Sequence, residues 1–186
     1  MINKNKLKKI ITEPMGDDDI KYYLPNAKIK TYKDLSKYND LDELLVNDND
    51  YVIILYPVNS INNGHWIAVL KYDFNDEPVY EYFDPYGKYP DEPLTWLKGN
   101  QSKEFKVYRS YLSDLFDKCN RKVIYNPTDW QYDHNHVNSC GRWSCWRVIC
   151  QFKYNKNLQQ FYNFMKKLKK DMRLPYDEIV SYMIDK

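Results

Sequence analysis

The chain has 186 residues, 43% hydrophobic and 17% aromatic, which is enough to bury one sizeable core and short for two domains, so 1–186 reads as a single domain. Its 28 basic and 26 acidic side chains are well mixed and leave a net charge of +2, which excludes a global field of the kind that would by itself imply nucleic acid. No apolar run approaches the roughly 20 residues of a membrane span, and the opening MINKNKLKKIITEP has no apolar signal segment, so a protein that is neither membrane-bound nor secreted is expected.

In chain order, GDDDIKYYL predicts a short helix from Asp17 as N-cap to about Leu24, stopped by Pro25. YKDLSKYNDLDELL adds one or two helical turns. Three strands follow, YVIILY (51–56), HWIAVLKYD (65–73) and PVYEYFD (78–84), separated by NNG and FND and closed by PYG. A helix is compatible with 107–119 and a short strand with 122–126, ended by Pro127. The stretch 127–139 is polar and irregular. A helix starts at Cys140, where Cys145, Val148, Ile149 and Phe152 recur on one face, and runs to about Asn155. Helices over 157–170 and 176–185 close the chain.

Chemistry concentrates in DHNHVNSCGRWSCW. His134, His136, Cys140 and Cys145 resemble a zinc ligand set, but residues five apart on a helix stand roughly 140° apart round the axis, so the two thiols face different ways and no metal is expected. The same geometry, with a reducing compartment, disfavours disulfides among Cys140, Cys145 and Cys150. Cys145 sits on the apolar stripe and reads as an inert core thiol, with Cys119 and Cys150 as packing residues. Cys140 follows a polar loop in the first turn of the helix, where free N–H groups and positive potential favour thiolate, and Gly141 beside it leaves the backbone open to a substrate.

A nucleophile needs a base. His65 opens a strand and is followed by Trp66, which can screen it from water. Folding 65–73 onto 78–84 about a turn near residues 74 and 75 places 65 opposite 84, so Asp84 would stand beside His65 and fix its tautomer. Gln131 can supply a side-chain N–H to an oxyanion, alongside the Cys140 backbone N–H, with Asn135 or Asn138 as alternative donors.

GHW at 64–66, YFDPYG at 82–87, Gln131 and NSCG at 138–141, in the order His, Asp, Gln, Cys, resemble the clan of cysteine proteases that contains the adenovirus maturation protease (adenain) and the SUMO and ubiquitin-like-protein-specific proteases. The resemblance covers roughly 17–153. It implies an α+β fold with a mixed, mostly antiparallel central sheet packed against a central helix bearing the nucleophilic cysteine, with further flanking helices. It implies Cys140 as nucleophile, His65 as general base, Asp84 as its orienter and Gln131 as oxyanion donor, with Trp66, Gly141 and Trp143 lining a narrow substrate channel. Cofactors and metal are expected to be absent.

The activity implied is cysteine endopeptidase cleavage after small residues, often Gly. Codons for the abundant Lys, Tyr and Asn are AT-rich, as in a large DNA virus, a virophage or an AT-rich protist, so the partner expected is a viral capsid or core precursor, cut during maturation in the virion or the host-cell cytoplasm by a monomer. The alternative substrate is a SUMO or ubiquitin-like modifier. The rival class is a catalytically silent zinc- or DNA-binding module using the basic runs 4–9 and 166–173. Clan members of the adenovirus type are helped by DNA and a peptide, so an activator of either kind is compatible with the enzyme.

Overall fold

A computed structural model describes residues 4–60, 63–97, 101, 105, 110–132 and 137–185. Its centre is a five-stranded sheet of β1 (Lys28–Thr31), β2 (Tyr51–Ser60), β3 (Asn63–Phe74), β4 (Glu77–Phe83) and β5 (Lys122–Tyr125), with the strands in chain order across it. The fold is α+β with a mixed sheet. Its antiparallel pairing is confined to β2, β3 and β4, and both edge strands, β1 and β5, add in parallel.

The described helices are α1 (Lys4–Thr12), α2 (Asp17–Tyr23), α3 (Leu41–Leu44), α4 (Tyr111–Asp117), α5 (Cys140–Phe152), α6 (Leu158–Met172) and α7 (Tyr176–Met183), with 3-10 turns at Tyr32–Lys37 and Glu92–Trp96. Asp17 is the first helical residue of α2, not its cap. The cap is Gly16, whose N–H donates to the Asp19 carboxylate at 3.1 Å.

The apolar run of β2 has no polar alternation because both of its faces are covered. Ile53 and Leu55 belong to one core, with Trp66, Ala68, Leu70 and Tyr72 of β3 and the buried side of α5, α6 and α7. Val52, Ile54 and Tyr56 belong to the other, with Ile67, Val69, Tyr80 and Tyr82 under α3, α4 and the Tyr32–Lys37 turn. The sheet is therefore the middle of three layers.

Strands β3 and β4 are joined by a two-residue turn in which Asn75 (φ 53°) and Asp76 (φ 63°) are both left-handed, the type I′ geometry that matches strand twist. Phe74 pairs with Glu77 and Ala68 with Phe83, so the turn sits one residue later than the sequence reading put it and each pairing is displaced by two. An even displacement keeps every side chain on its expected face.

Helix α5 is buried on almost every side, including Arg142, Ser144 and Arg147. Arg147 forms a two-pronged ion pair with Glu81 of β4, Nε to Oε1 and Nη2 to Oε2, both at 2.6 Å. Both side chains are fully enclosed. Tyr72 Oη donates to Glu81 Oε2 at 2.5 Å, and Arg147 also donates to the Lys156 carbonyl and Gln151 Oε1. Every prong thus has a partner, the condition under which a buried pair is tolerated.

The basic runs lie on α1 and α6, where Lys6 pairs with Asp185, Lys9 with Glu13 and Lys167 with Asp171. Among the described residues no helix is long and apolar enough to cross a membrane. Because removing one partner strands a buried charge, Glu81→Ala is expected to cost about 3–5 kcal/mol in urea unfolding, whereas the double change Glu81→Leu with Arg147→Met costs less.

Candidate active site

His65 pairs with Tyr56 where β2 and β3 close, and the residue before it has no room for a side chain: a Cβ at Gly64 would stand 1.7 Å from the Tyr56 carbonyl oxygen. By strand alternation His65 falls on the face of Ile67 and Val69, and Asp84, just past the end of β4, on that of Tyr80 and Tyr82. The register makes them diagonal neighbours. They meet nonetheless, His65 Nε2 to Asp84 Oδ1 at 2.9 Å, with relative exposures of 3% and 0%. Asp84 is itself held: Oδ1 accepts the Tyr86 N–H at 2.7 Å, and its carbonyl accepts from Asn126 Nδ2 at 2.6 Å and from the Gly87 N–H at 2.9 Å.

With Nε2 committed to Asp84, Nδ1 is the imidazole nitrogen left for Cys140, which lines the same cleft close enough to act on the imidazole. Burial alone would favour neutral imidazole. The charge and hydrogen bond of Asp84, followed by those of Cys140, outweigh it and raise the His65 pKa from 6.5 to about 10.

Cys140 is the first residue of α5 and is half-buried at the floor of a cleft of about 430 Å³, with His65, Tyr86, Trp96 and Gln131 among its walls. The cap residue Ser139 gives no side-chain bond to the helix, because its Oγ donates to Asp177 Oδ1 of α7 at 2.5 Å. Cys145 and Cys150 lie in the core, where burial pushes both thiols up to about 12.

Gln131 reaches the cleft, fully committed on its nitrogen. Nε2 donates to Tyr86 Oη at 2.8 Å and to the Val137 carbonyl at 3.1 Å, while the buried Oε1 has no protein partner. Asn138 also borders the cleft, but its Nδ2 donates to the Thr12 carbonyl at 2.8 Å. Asn135, His134 and His136 lie outside the described residues.

Of the three residues expected to line a substrate channel, none forms a wall of this cleft. Trp143 is fully enclosed, stacked on Trp130 and donating from Nε1 to Asp177 Oδ1 at 2.9 Å. It is a core residue because it projects from α5 toward α7 instead of toward the sheet. Gly141 is buried beneath the segment linking α1 and α2, and a Cβ there would come within 2.9 Å of Met15 Cβ and 3.2 Å of Trp66 Cδ1. Its lack of a side chain serves that close approach. Trp66 is 5% exposed, donates from Nε1 to the Met15 carbonyl at 2.9 Å, and borders a second cavity of about 430 Å³ with Asp17, Ile29 and Leu55.

Three contributors were not singled out in the sequence. Tyr86 lies within the quoted FDPYG and carries its ring 4.9 Å from that of His65. Trp96, on the 3-10 turn, sets its ring edge-on to His65 at 5.3 Å, with no sequence signal. Asp177 binds Ser139 and Trp143 through Oδ1, and through Oδ2 accepts the N–H of Tyr132 at 2.9 Å, next to Gln131. It ties both halves of the cleft floor to α7.

The architecture is similar to that of a solved viral protease. The solved ASFV pS273R protease superposes with a TM-score of 0.55 at 14% identity, covering 93% of this chain and 67% of that one. Its selenomethionine form gives 0.51 at 12% identity over the same shares. In sequence the chain is similar to the "Uncharacterized protein V9" of Sputnik virophage, 29% identical over 168 residues, 90% of this chain and 91% of that protein. No family model matches.

Two outcomes are expected. In an NMR titration the His65 imidazole stays protonated through neutral pH and releases its proton near pH 10, and Asp84→Asn, by removing the facing charge, moves the midpoint down toward the ordinary value near 6.5. Asp177→Ala leaves the buried Trp143 N–H and the Ser139 hydroxyl without an acceptor, so urea unfolding should show a loss of about 3 kcal/mol, with faster amide exchange at Tyr132.

Proposed function

We propose that the chain is a cysteine endopeptidase that cuts viral capsid or core precursors during maturation. The observation that carries this reading is a helix-opening thiol in one cleft with an enclosed imidazole, one nitrogen of which is held by a buried carboxylate. Cys140 acts as the nucleophile, His65 as the acid and base, and Asp84 as the group that fixes the imidazole's orientation and tautomer.

In the acylation step the Cys140 sulfur adds to the substrate carbonyl. The C–S bond forms, the oxyanion turns toward the Cys140 N–H and Gln131, and the proton on His65 Nδ1 passes to the amine as the C–N bond breaks. Water then gives a proton to His65 as its oxygen attacks the thioester; the C–S bond breaks, the thiolate is restored, and the product leaves as the acid, which gives its proton to solvent. Gln131 serves by the N–H it now gives to Tyr86 Oη, the one of its two acceptors that belongs to a side chain of the cleft wall. Negative charge at the mouth of α5 is favoured further by the helix dipole.

Preference for a small residue before the cut is supported by the resemblance. The likeness to a viral protease fold and to a virophage protein supports a viral substrate and a site of action in the virion and the host-cell cytoplasm.

Iodoacetamide at neutral pH, followed by peptide mapping, should modify Cys140 first, because Cys145 and Cys150 are held as thiols, and His65→Ala should suppress that labelling. In parallel, co-encoded capsid precursors should be cleaved while a ubiquitin-like modifier fused through Gly-Gly is spared, and Cys140→Ala should abolish cleavage. Cleavage of the modifier alone would reassign the substrate.

A further inference from the structure

The peptidase reading orients the cleft, because the amine that leaves must take its proton from His65 and therefore lies on the His65 side of Cys140, whereas the oxyanion lies toward Gln131. The wall beyond His65 then faces the first residue after the cut. Among the cleft's lining residues Gly64 adjoins His65 in β3 and Trp96 sets its ring against it, and Val58 of β2 and Lys88 of the loop after β4 come from the same two segments.

Its chemistry is largely apolar. Val58 is aliphatic, Gly64 adds no side chain, and Trp96 sets its ring edge-on to both His65 and Tyr86, at 5.3 and 5.8 Å. Lys88 stands at the rim with its ammonium 3.2 Å from Glu92, so its charge already has a carboxylate.

Trp96 is also rigidly presented. Its 3-10 turn starts after Asp91, a non-glycine residue at φ 65° that is 8% exposed. Such a conformation persists only where the surroundings enforce it. Here Tyr32 Oη donates to Asp91 Oδ1 at 2.5 Å, the Ser113 N–H donates to Oδ2 at 2.7 Å, and the Asp91 N–H donates to Tyr56 Oη at 3.0 Å. Three elements hold the turn that carries one half-buried indole into the cleft, which is how a preorganised apolar subsite is built.

We infer that the part of the cleft beyond His65 is a subsite for an apolar or aromatic side chain on the residue that follows the cut, and that Trp96 determines this preference. The inference rests on the peptidase reading and adds a demand on the leaving-group side to the one on the acyl side.

Quenched peptides identical up to the cut and carrying Phe, Leu, Gly, Asp or Lys after it test the idea. The expected kcat/KM for Phe exceeds that for Gly by about tenfold, or about 1.4 kcal/mol, mainly through KM. The ratio falls toward unity in Trp96→Ala and is partly kept in Trp96→Phe. Val58→Asp, which a folding defect cannot mimic, should move the preference to Lys. A flat profile in the natural protein overturns the inference, and so does a preference for Asp, which would give the subsite to Lys88. A readout free of turnover separates the two levels: amine-product peptides beginning with Phe or Gly, titrated into Cys140→Ala protein while the Trp96 indole is followed by NMR. Tighter binding of the Phe peptide without cleavage by the natural protein keeps the subsite and removes the peptidase; cleavage without that binding difference does the reverse.

Discussion

The bidentate pair between Arg147 and Glu81 sets the position of everything at the cleft, because it fixes how far α5 slides along the sheet. Arg147 lies seven residues after Cys140, about two helical turns, so both project toward the sheet along one stripe, roughly 10 Å apart along the axis. On β4, Asp84 lies three residues beyond Glu81, again roughly 10 Å. The two spacings match, and α5 runs antiparallel to β4. Locking Arg147 onto Glu81 therefore brings the start of α5 to the strand end where Asp84 and His65 stand. A slip of one helical turn would leave both carboxylates facing the wrong groups, and burial of both charges makes such a slip costly.

His65 and Asp84 do not share the sheet face that α5 covers. They occupy the opposite face and meet Cys140 only because all three stand at one end of the layered structure, where strand ends and a helix start converge. The close contact at Gly64 and the second one at Gly141 permit this convergence, one drawing the hairpin strands together ahead of His65 and the other letting Met15 and Trp66 settle on the helix beside Cys140. Each is a local loss of side-chain bulk at a point of crowding.

Much of this was legible in the residues. Strands β2, β3 and β4 announce themselves by composition, and α5 by the spacing of Cys145, Val148, Ile149 and Phe152, since these signals are periodic and local. The juxtaposition of His65 with Asp84 survived an error of two residues in register because side-chain direction depends only on parity. Strand β1 and helix α1 were not foreseen: KIKT alternates weakly and gains its place by parallel pairing at an edge, and the lysine-rich α1 depends on α7 for its apolar contacts. Trp143 was misplaced because a fully buried helix has no polar face from which to infer which side meets the cleft. Trp96 lies in a segment with no pattern of its own, and Asp177 in the first turn of an expected helix; the importance of both arises from tertiary neighbours.

The grip of Asp177 on Ser139, Trp143 and Tyr132 has a consequence for biosynthesis. The start of α5 is braced, through the Ser139 hydroxyl and the Trp143 indole, by a carboxylate from a helix that is translated after it. While the chain is still emerging from the ribosome, thiol and imidazole would both exist without the brace that aligns them. The alignment at the cleft floor is therefore completed only once α7 has been made and has folded onto α5.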